Sequence, residues 1–216
     1  MSDGYVKPAS DAPNPWGFGE EQARDGQDPI DLLRAHHYSL LAVLLTQAPT
    51  AGTLELVADL TGDASPLGLA RARLAEAARK ADPAALQREY FRLFIGVGRG
   101  ELVAYGSFYL TGFLQEKPLA RLRQDLAELG IERSPDLTEF EDHIGVLCEI
   151  MAGLIDGRFD TPEGADQRFF SVHLNPWAAR FFADLETAEA SNFYKHVGAV
   201  GRTLMGIEAE ALAWAA

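Results

Sequence analysis

Six times between residues 28 and 176, a side chain that can cap a helix stands directly before a proline: Asp28-Pro29, Ser65-Pro66, Asp82-Pro83, Ser134-Pro135, Thr161-Pro162 and Asn175-Pro176. The side-chain oxygen of the first residue accepts from an N–H left over in a helix's opening turn. The proline after it has no N–H to leave unpaired. Such pairs mark helix starts, and a chain punctuated this way is committed to short helices joined by tight turns. The stretches between them repeat apolar residues at helical spacing. Ile30, Leu33, His37, Leu41 and Leu44 mark one face, and Leu67, Ala70, Leu74 and Ala77 another. Leu119, Leu122, Leu126 and Leu129 form a third, stopped by Gly130.

The same reading places a short helix over 54–60 and an aromatic one through Leu86, Tyr90, Leu93 and Phe94. Another runs through Phe140, Ile144, Leu147, Met151 and Leu154, two more lie around Phe169-Phe170 and over 177–185, and the last starts near Ser191. No run of period two is flanked by hairpin-turn residues. The expected fold is all-α: a single-domain helical bundle of nine to ten helices over residues 28–216. Residues 1–27 are rich in Pro, Gly, Asp and Ala, show no period, and read as a disordered tail.

Charge narrows the class of partner. Thirty-two acidic residues against 19 Lys and Arg give a formal charge of −13. No basic run is present to displace the counterions of a duplex, so nucleic acid is not an expected partner. Ordinary solubility charge and attraction to a basic partner both fit this balance. Cys148 is the only cysteine and sits among Val146, Leu147 and Ile150, so it reads as a buried structural thiol. The first residues lack the basic start and apolar run of a secretory signal, and no stretch is apolar enough to span a bilayer. A cytoplasmic protein with no integral membrane span is expected.

Two segments carry candidate chemistry. The first runs over residues 89–112, where an aromatic helix ends in the glycine-rich loop Gly96-Val97-Gly98-Arg99-Gly100-Glu101. The loop lacks the Lys-Ser/Thr and the preceding strand of a phosphate cradle. It reads either as a chain reversal using positive φ or as backbone that passes close to a bound peptide at Gly98, Gly100 and Glu101. Tyr105, Ser107, Phe108, Tyr109 and Phe113 follow, and on one helix Tyr105, Tyr109 and Phe113 would share a face. That stripe is either core or the wall of a partly open groove.

The second segment is Glu139-Phe140-Glu141-Asp142-His143, read as the opening turn of a helix. Thr138 and Glu141 have capping-box spacing, and acids there favour the helix dipole. The histidine is not explained that way. No second histidine follows at i+4 to make a metal site. A His–carboxylate general-base pair remains open, as does an acidic patch beside an apolar groove that would bind an arginine-bearing peptide. An enzyme reading would make the chain a small hydrolase or GTPase using Glu139, Asp142 and His143 with the loop over residues 96–100. A purely structural subunit is the third class.

Three ordered stretches together resemble a known family, the TorD/DmsD/NarJ group of redox-enzyme maturation chaperones. They are Tyr90-Phe91-Arg92-Leu93-Phe94 with the glycine loop and Tyr105-Gly106-Ser107-Phe108-Tyr109; the Glu139–His143 motif; and Phe169-Phe170 through His173-Leu174-Asn175-Pro176-Trp177 to Asn192-Phe193-Tyr194. The resemblance implies an all-helical chaperone, not an enzyme. It would bind the twin-arginine signal peptide, or the body, of a molybdopterin-containing oxidoreductase subunit. It would assist cofactor insertion and delay export, with no resident cofactor of its own beyond the GTP that family analogy allows. Glu139, Asp142, His143 and Phe140, with Tyr105, Tyr109, Ser107, Gly98, Gly100 and Glu101, are the peptide-binding residues it implies. Monomer and domain-swapped homodimer are both compatible with it, and the wording around residues 100–112 is closest to members associated with formate dehydrogenase. Phe140 stands where the family motif has proline, and Val103-Ala104 where proline often precedes the aromatic, which implies a different groove shape.

Overall fold

A computed structural model describes residues 28–134 and 137–215. The expected tail over 1–27 lies outside the described residues. Among those described the chain is helical throughout, in ten α-helices: α1 (Pro29–Thr46), α2 (Ala51–Ala58), α3 (Pro66–Lys80), α4 (Pro83–Tyr90), α5 (Gly106–Thr111), α6 (Lys117–Glu128), α7 (Ile144–Ile155), α8 (Ala165–Phe169), α9 (Ala178–Thr187) and α10 (Tyr194–Ala215). Two π-helical turns, Phe91–Ile95 and Phe170–Leu174, continue α4 and α8. The all-α expectation is borne out. No described helix is long and apolar enough to cross a membrane.

The capping signals act as physics requires at three sites. Ser65 accepts from Gly68 N at 3.0 Å to open α3, Asp82 accepts from Ala85 N at 3.0 Å to open α4, and Asp28 accepts from Ile30 N at 2.8 Å ahead of α1. Two other pairs, Thr161-Pro162 and Asn175-Pro176, do not start helices at their prolines. α8 begins only at Ala165 and α9 at Ala178. Pro135 lies outside the described residues, and the next described helix after α6 starts at Ile144.

Contacts among the described residues gather into two compact units, each made of two chain segments: those up to Thr46 with those from Tyr105 to Pro176, and Gln47–Ala104 with those from Trp177 on. In the first, α1 lies along α7. Tyr38, Leu41, Leu44 and Leu45 of α1, and Ile144, Leu147, Cys148 and Met151 of α7, are all within 1% of complete burial. From Ile144 to Leu154, α7 is buried at every residue but Glu149, the mark of a central helix. Burial pushes the Cys148 thiol far above its ordinary range, as a structural cysteine requires.

In the second unit, α10 packs on α9 and α3, and α2 on α3. A Cβ on Gly201 of α10 would fall 2.3 Å from the ring of Phe182, so glycine is what lets α9 and α10 approach. At the start of α10, Oε1 of the buried Glu89, on α4, accepts from the amides of Asn192, Phe193 and Tyr194 at 2.8, 2.8 and 2.9 Å. One carboxylate oxygen thereby satisfies three of the donors a helix start leaves over.

Candidate functional site

The site is built where two distant stretches of the first unit meet as an antiparallel bridge, Tyr105 opposite His143. Gly106 N donates to Asp142 O at 2.9 Å. Beside it, Ser107 N donates to Asp142 Oδ2 at 2.7 Å. Asp142 therefore caps α5 from across the fold. This carboxylate is 3% exposed and Ser107 is wholly buried. Oδ1 of Asp142 and Oγ of Ser107 have no hydrogen-bond partner in the structure.

α5 is only six residues long. Tyr105 precedes it in extended conformation, and Gly112 ends it with φ +84°. The expected stripe of Tyr105, Tyr109 and Phe113 on one helix face therefore does not form. Phe113 lies past the helix end, 70% exposed, with Leu110 and Leu114 also exposed beside it in sequence. Tyr109 stays half-buried, its ring 6.3 Å from that of Phe108.

The Glu139–His143 segment is likewise not the first turn of a helix. It is the turn before one, and His143 is the N-cap of α7, its Nδ1 accepting from Gly145 N at 3.2 Å. A lone pair at Nδ1 puts the proton of the neutral ring on Nε2. Burial pushes the His143 pKa below the ordinary 6.5, against the opposing charges of Glu139 and Asp142. The positive end of α7 favours the same neutral form. With its one lone pair engaged, the ring is not poised as a general base.

The acids of the motif separate into committed and surface-facing groups. Glu141 is buried and forked by Arg123 of α6, with Nε and Nη2 at 3.1 and 2.8 Å from its two oxygens. Burial raises its pKa, yet the Arg123 bonds and charge outweigh that and hold it below the usual carboxylate value. Asp142 is committed to α5. Glu139 remains half-buried at the surface, where its carboxylate accepts from the Tyr105 hydroxyl. The Tyr105 ring lies 6.0 Å from Phe140 and 5.1 Å, edge-on, from His143. Arg133 fixes the approach to this turn, donating to the carbonyl oxygens of Leu137 and Glu139 at 2.6 and 3.2 Å. Arg123 was not legible as a site residue because it reaches Glu141 from α6, 18 residues away, and Arg133 because it binds backbone carbonyls, which leave no side-chain pattern in the sequence.

The structure thus brings Tyr105, Ser107, Glu139, Phe140, Asp142 and His143 together. Tyr105, Glu139 and Phe140 face outward, and Ser107, Asp142 and His143 support them from within. Gly98, Gly100 and Glu101 belong to the second unit. Gly98 has φ +88° at the loop tip, the chain reversal that glycine permits. A Cβ on Gly100 would fall 2.6 Å from Leu93 O, so this glycine packs the loop onto the π turn. The amides of Glu101 and Leu102 bond Arg92 O and Leu93 O at 3.0 and 2.8 Å, and the Glu101 carboxylate receives Ala190 N at 3.0 Å. The amides of Glu101 and Leu102 are thus taken up within the chain rather than offered to a ligand. No group of three or more His, Cys, Asp or Glu among the described residues is arranged to hold a metal.

Residues 61–183 match the nitrate reductase delta subunit family. A chaperone protein TorD from Shewanella loihica is 26% identical over 209 residues, spanning 86% of this chain and 96% of the relative. A second chaperone protein TorD, from Vibrio atlanticus, is 22% identical over 125 residues, 53% of this chain and 58% of that one. Among solved structures, a redox enzyme maturation protein from Archaeoglobus fulgidus shares the fold, with a TM-score of 0.54, 20% identity, and coverage of 81% of this chain and 94% of that one. The chain belongs to the nitrate reductase delta subunit family, the TorD/NarJ group of redox-enzyme maturation chaperones, and is a chaperone rather than an enzyme.

Proposed function

We infer that this chaperone works in the cytoplasm on a molybdopterin-containing oxidoreductase subunit, a formate dehydrogenase subunit by the wording of residues 100–112. It holds the subunit's twin-arginine leader while the cofactor is inserted. The observation that carries this reading is Glu139: of the three motif acids it alone reaches the surface, hydrogen-bonded by Tyr105 and next to the half-buried Phe140 ring. A guanidinium displacing the phenol would gain a charge-assisted bond to Glu139 and aromatic surface on Tyr105 and Phe140. The apolar part of the leader would continue along α5, about 9 Å long at the rise of a six-residue helix, toward the exposed Leu110, Phe113 and Leu114. Asp142 and His143 position this face rather than touch the ligand.

The test is fluorescence anisotropy with a labelled twin-arginine peptide. Glu139→Gln is expected to weaken binding about tenfold, the low end for one charge-assisted bond at a half-exposed site. Glu141→Gln, which loses a charge already held by Arg123, leaves affinity within about twofold. Unchanged affinity in a folded Glu139→Gln protein would overturn the reading.

A further inference from the structure

Also in the first unit, α6 and α8 line a pocket of about 170 Å³, of the order of one large side chain. Its apolar surface comes from Leu129, Pro162 and Phe169, and its polar wall from Asp125 and Glu128, which lie three residues apart on α6 and so share a face. His173, buried in the following π turn, sits 4.9 Å from the Phe169 ring and has Nε2 2.8 Å from Asp125 Oδ2. Burial first, and the charges of Arg121 and Arg168 after it, favour the neutral imidazole over the pull of Asp125. A neutral ring donating this bond leaves the Asp125 charge whole.

At the pocket mouth stands Arg168, with Nη2 3.7 Å from Asp125 Oδ1 and 3.8 Å from Glu128 Oε2. Both distances are too long for a hydrogen bond, and the Arg168 side chain is 70% exposed. The pocket therefore presents two carboxylates above an aromatic and apolar floor, attended by a guanidinium that bonds neither. The chain itself displays the chemistry the pocket selects.

We propose that this pocket docks an arginine side chain of a bound polypeptide, one flanked by an apolar residue. The incoming guanidinium displaces Arg168 from between Asp125 and Glu128, and its methylenes and neighbour cover Leu129, Pro162 and Phe169. Arginine suits the site better than lysine because a planar guanidinium reaches two carboxylates at once and stacks on the ring pair. A metal ion is not the ligand, since these residues form no metal-holding group. The site is separate from the Tyr105 face. A second grip of modest strength adds avidity for a long, unfolded client.

The experiment is an NMR titration of the full chain with acetyl-Leu-Arg-Phe-amide and its neutral citrulline counterpart. Amide shifts are expected at Asp125, Glu128, Arg168 and His173, with the citrulline peptide at least fivefold weaker. Arg168→Ala removes the internal competitor and tightens binding threefold or more, while Glu128→Gln weakens it at least fivefold. Both side chains are more than half exposed, so neither substitution endangers the fold. The same results in a Glu139→Gln background keep the outcome independent of the Tyr105 face. Equal binding of the citrulline peptide, unchanged or weaker binding by Arg168→Ala, or shifts confined to Tyr105 and Phe140 would overturn the proposal.

Discussion

His143 lends the lone pair of Nδ1 to the amide of Gly145, and a protonated ring has none to lend. Protonation would break the cap of α7 and set a positive charge at the positive end of that helix. The pKa of the folded state lies below the ordinary 6.5, so below that pH the unfolded chain binds more protons. Stability from this residue is complete above about 6.5 and is lost as the pH falls. Urea titrations between pH 7.5 and 5 should show the wild type losing stability. His143→Asn, which keeps a cap that does not titrate, should flatten the slope by up to about 1.4 kcal/mol per pH unit. His173 and His196, also depressed chiefly by burial, add to the slope, while Glu149, whose carboxyl burial raises to about 7, works against it over the same range. An unchanged slope in the variant would remove His143 from this role. In the sequence this histidine was visible as a residue the helix dipole does not explain. Its role was not visible, because a cap depends on where the helix starts.

Helix starts are where sequence and structure agree best and also where they part. Asp28, Ser65 and Asp82 cap from one residue before a proline, so their signal is wholly local. α5 and α10 begin where carboxylates from elsewhere in the chain arrive: Asp142 to Ser107, 35 residues away, and Glu89 to residues 103 to 105 positions on. No local pattern carries that information, and for the same reason the tyrosine stripe was read onto a helix that ends at Thr111. Glu89→Ala should lower stability by about 3 kcal/mol or more by leaving three amides, two of them buried, without an acceptor. Glu89→Gln, which retains an oxygen, should cost less, and equal unfolding midpoints for the two would contradict the cap. Gly201→Ala raises helix propensity by about 1 kcal/mol, yet its methyl would meet the Phe182 ring. A net loss of about 1–3 kcal/mol in chemical denaturation is expected, and a stabilised variant would show that α9 and α10 have room to spare.

At the scale of the whole molecule, a chain of formal charge −13 offers arginine-rich segments a favourable field. A field of this kind fades over roughly 8 Å at physiological salt, so under the function proposed above the choice between clients comes from direct contacts to the face where Tyr105 meets Glu139. The all-helical fold and the family were legible from the cap–proline pairs and three ordered motifs. The division of labour inside the Glu139–His143 motif was not, because Arg123 and the amide of Ser107 claim two of its acids only once the chain has folded. The most direct measurement is calorimetric titration of the full chain with a leader peptide carrying two consecutive arginines and an apolar run, beside the same peptide with both arginines replaced by glutamine. At low salt the glutamine peptide should bind at least about tenfold more weakly, and added salt should weaken only the arginine peptide. Equal affinities that ignore salt would contradict a chaperone that grips its client by arginine.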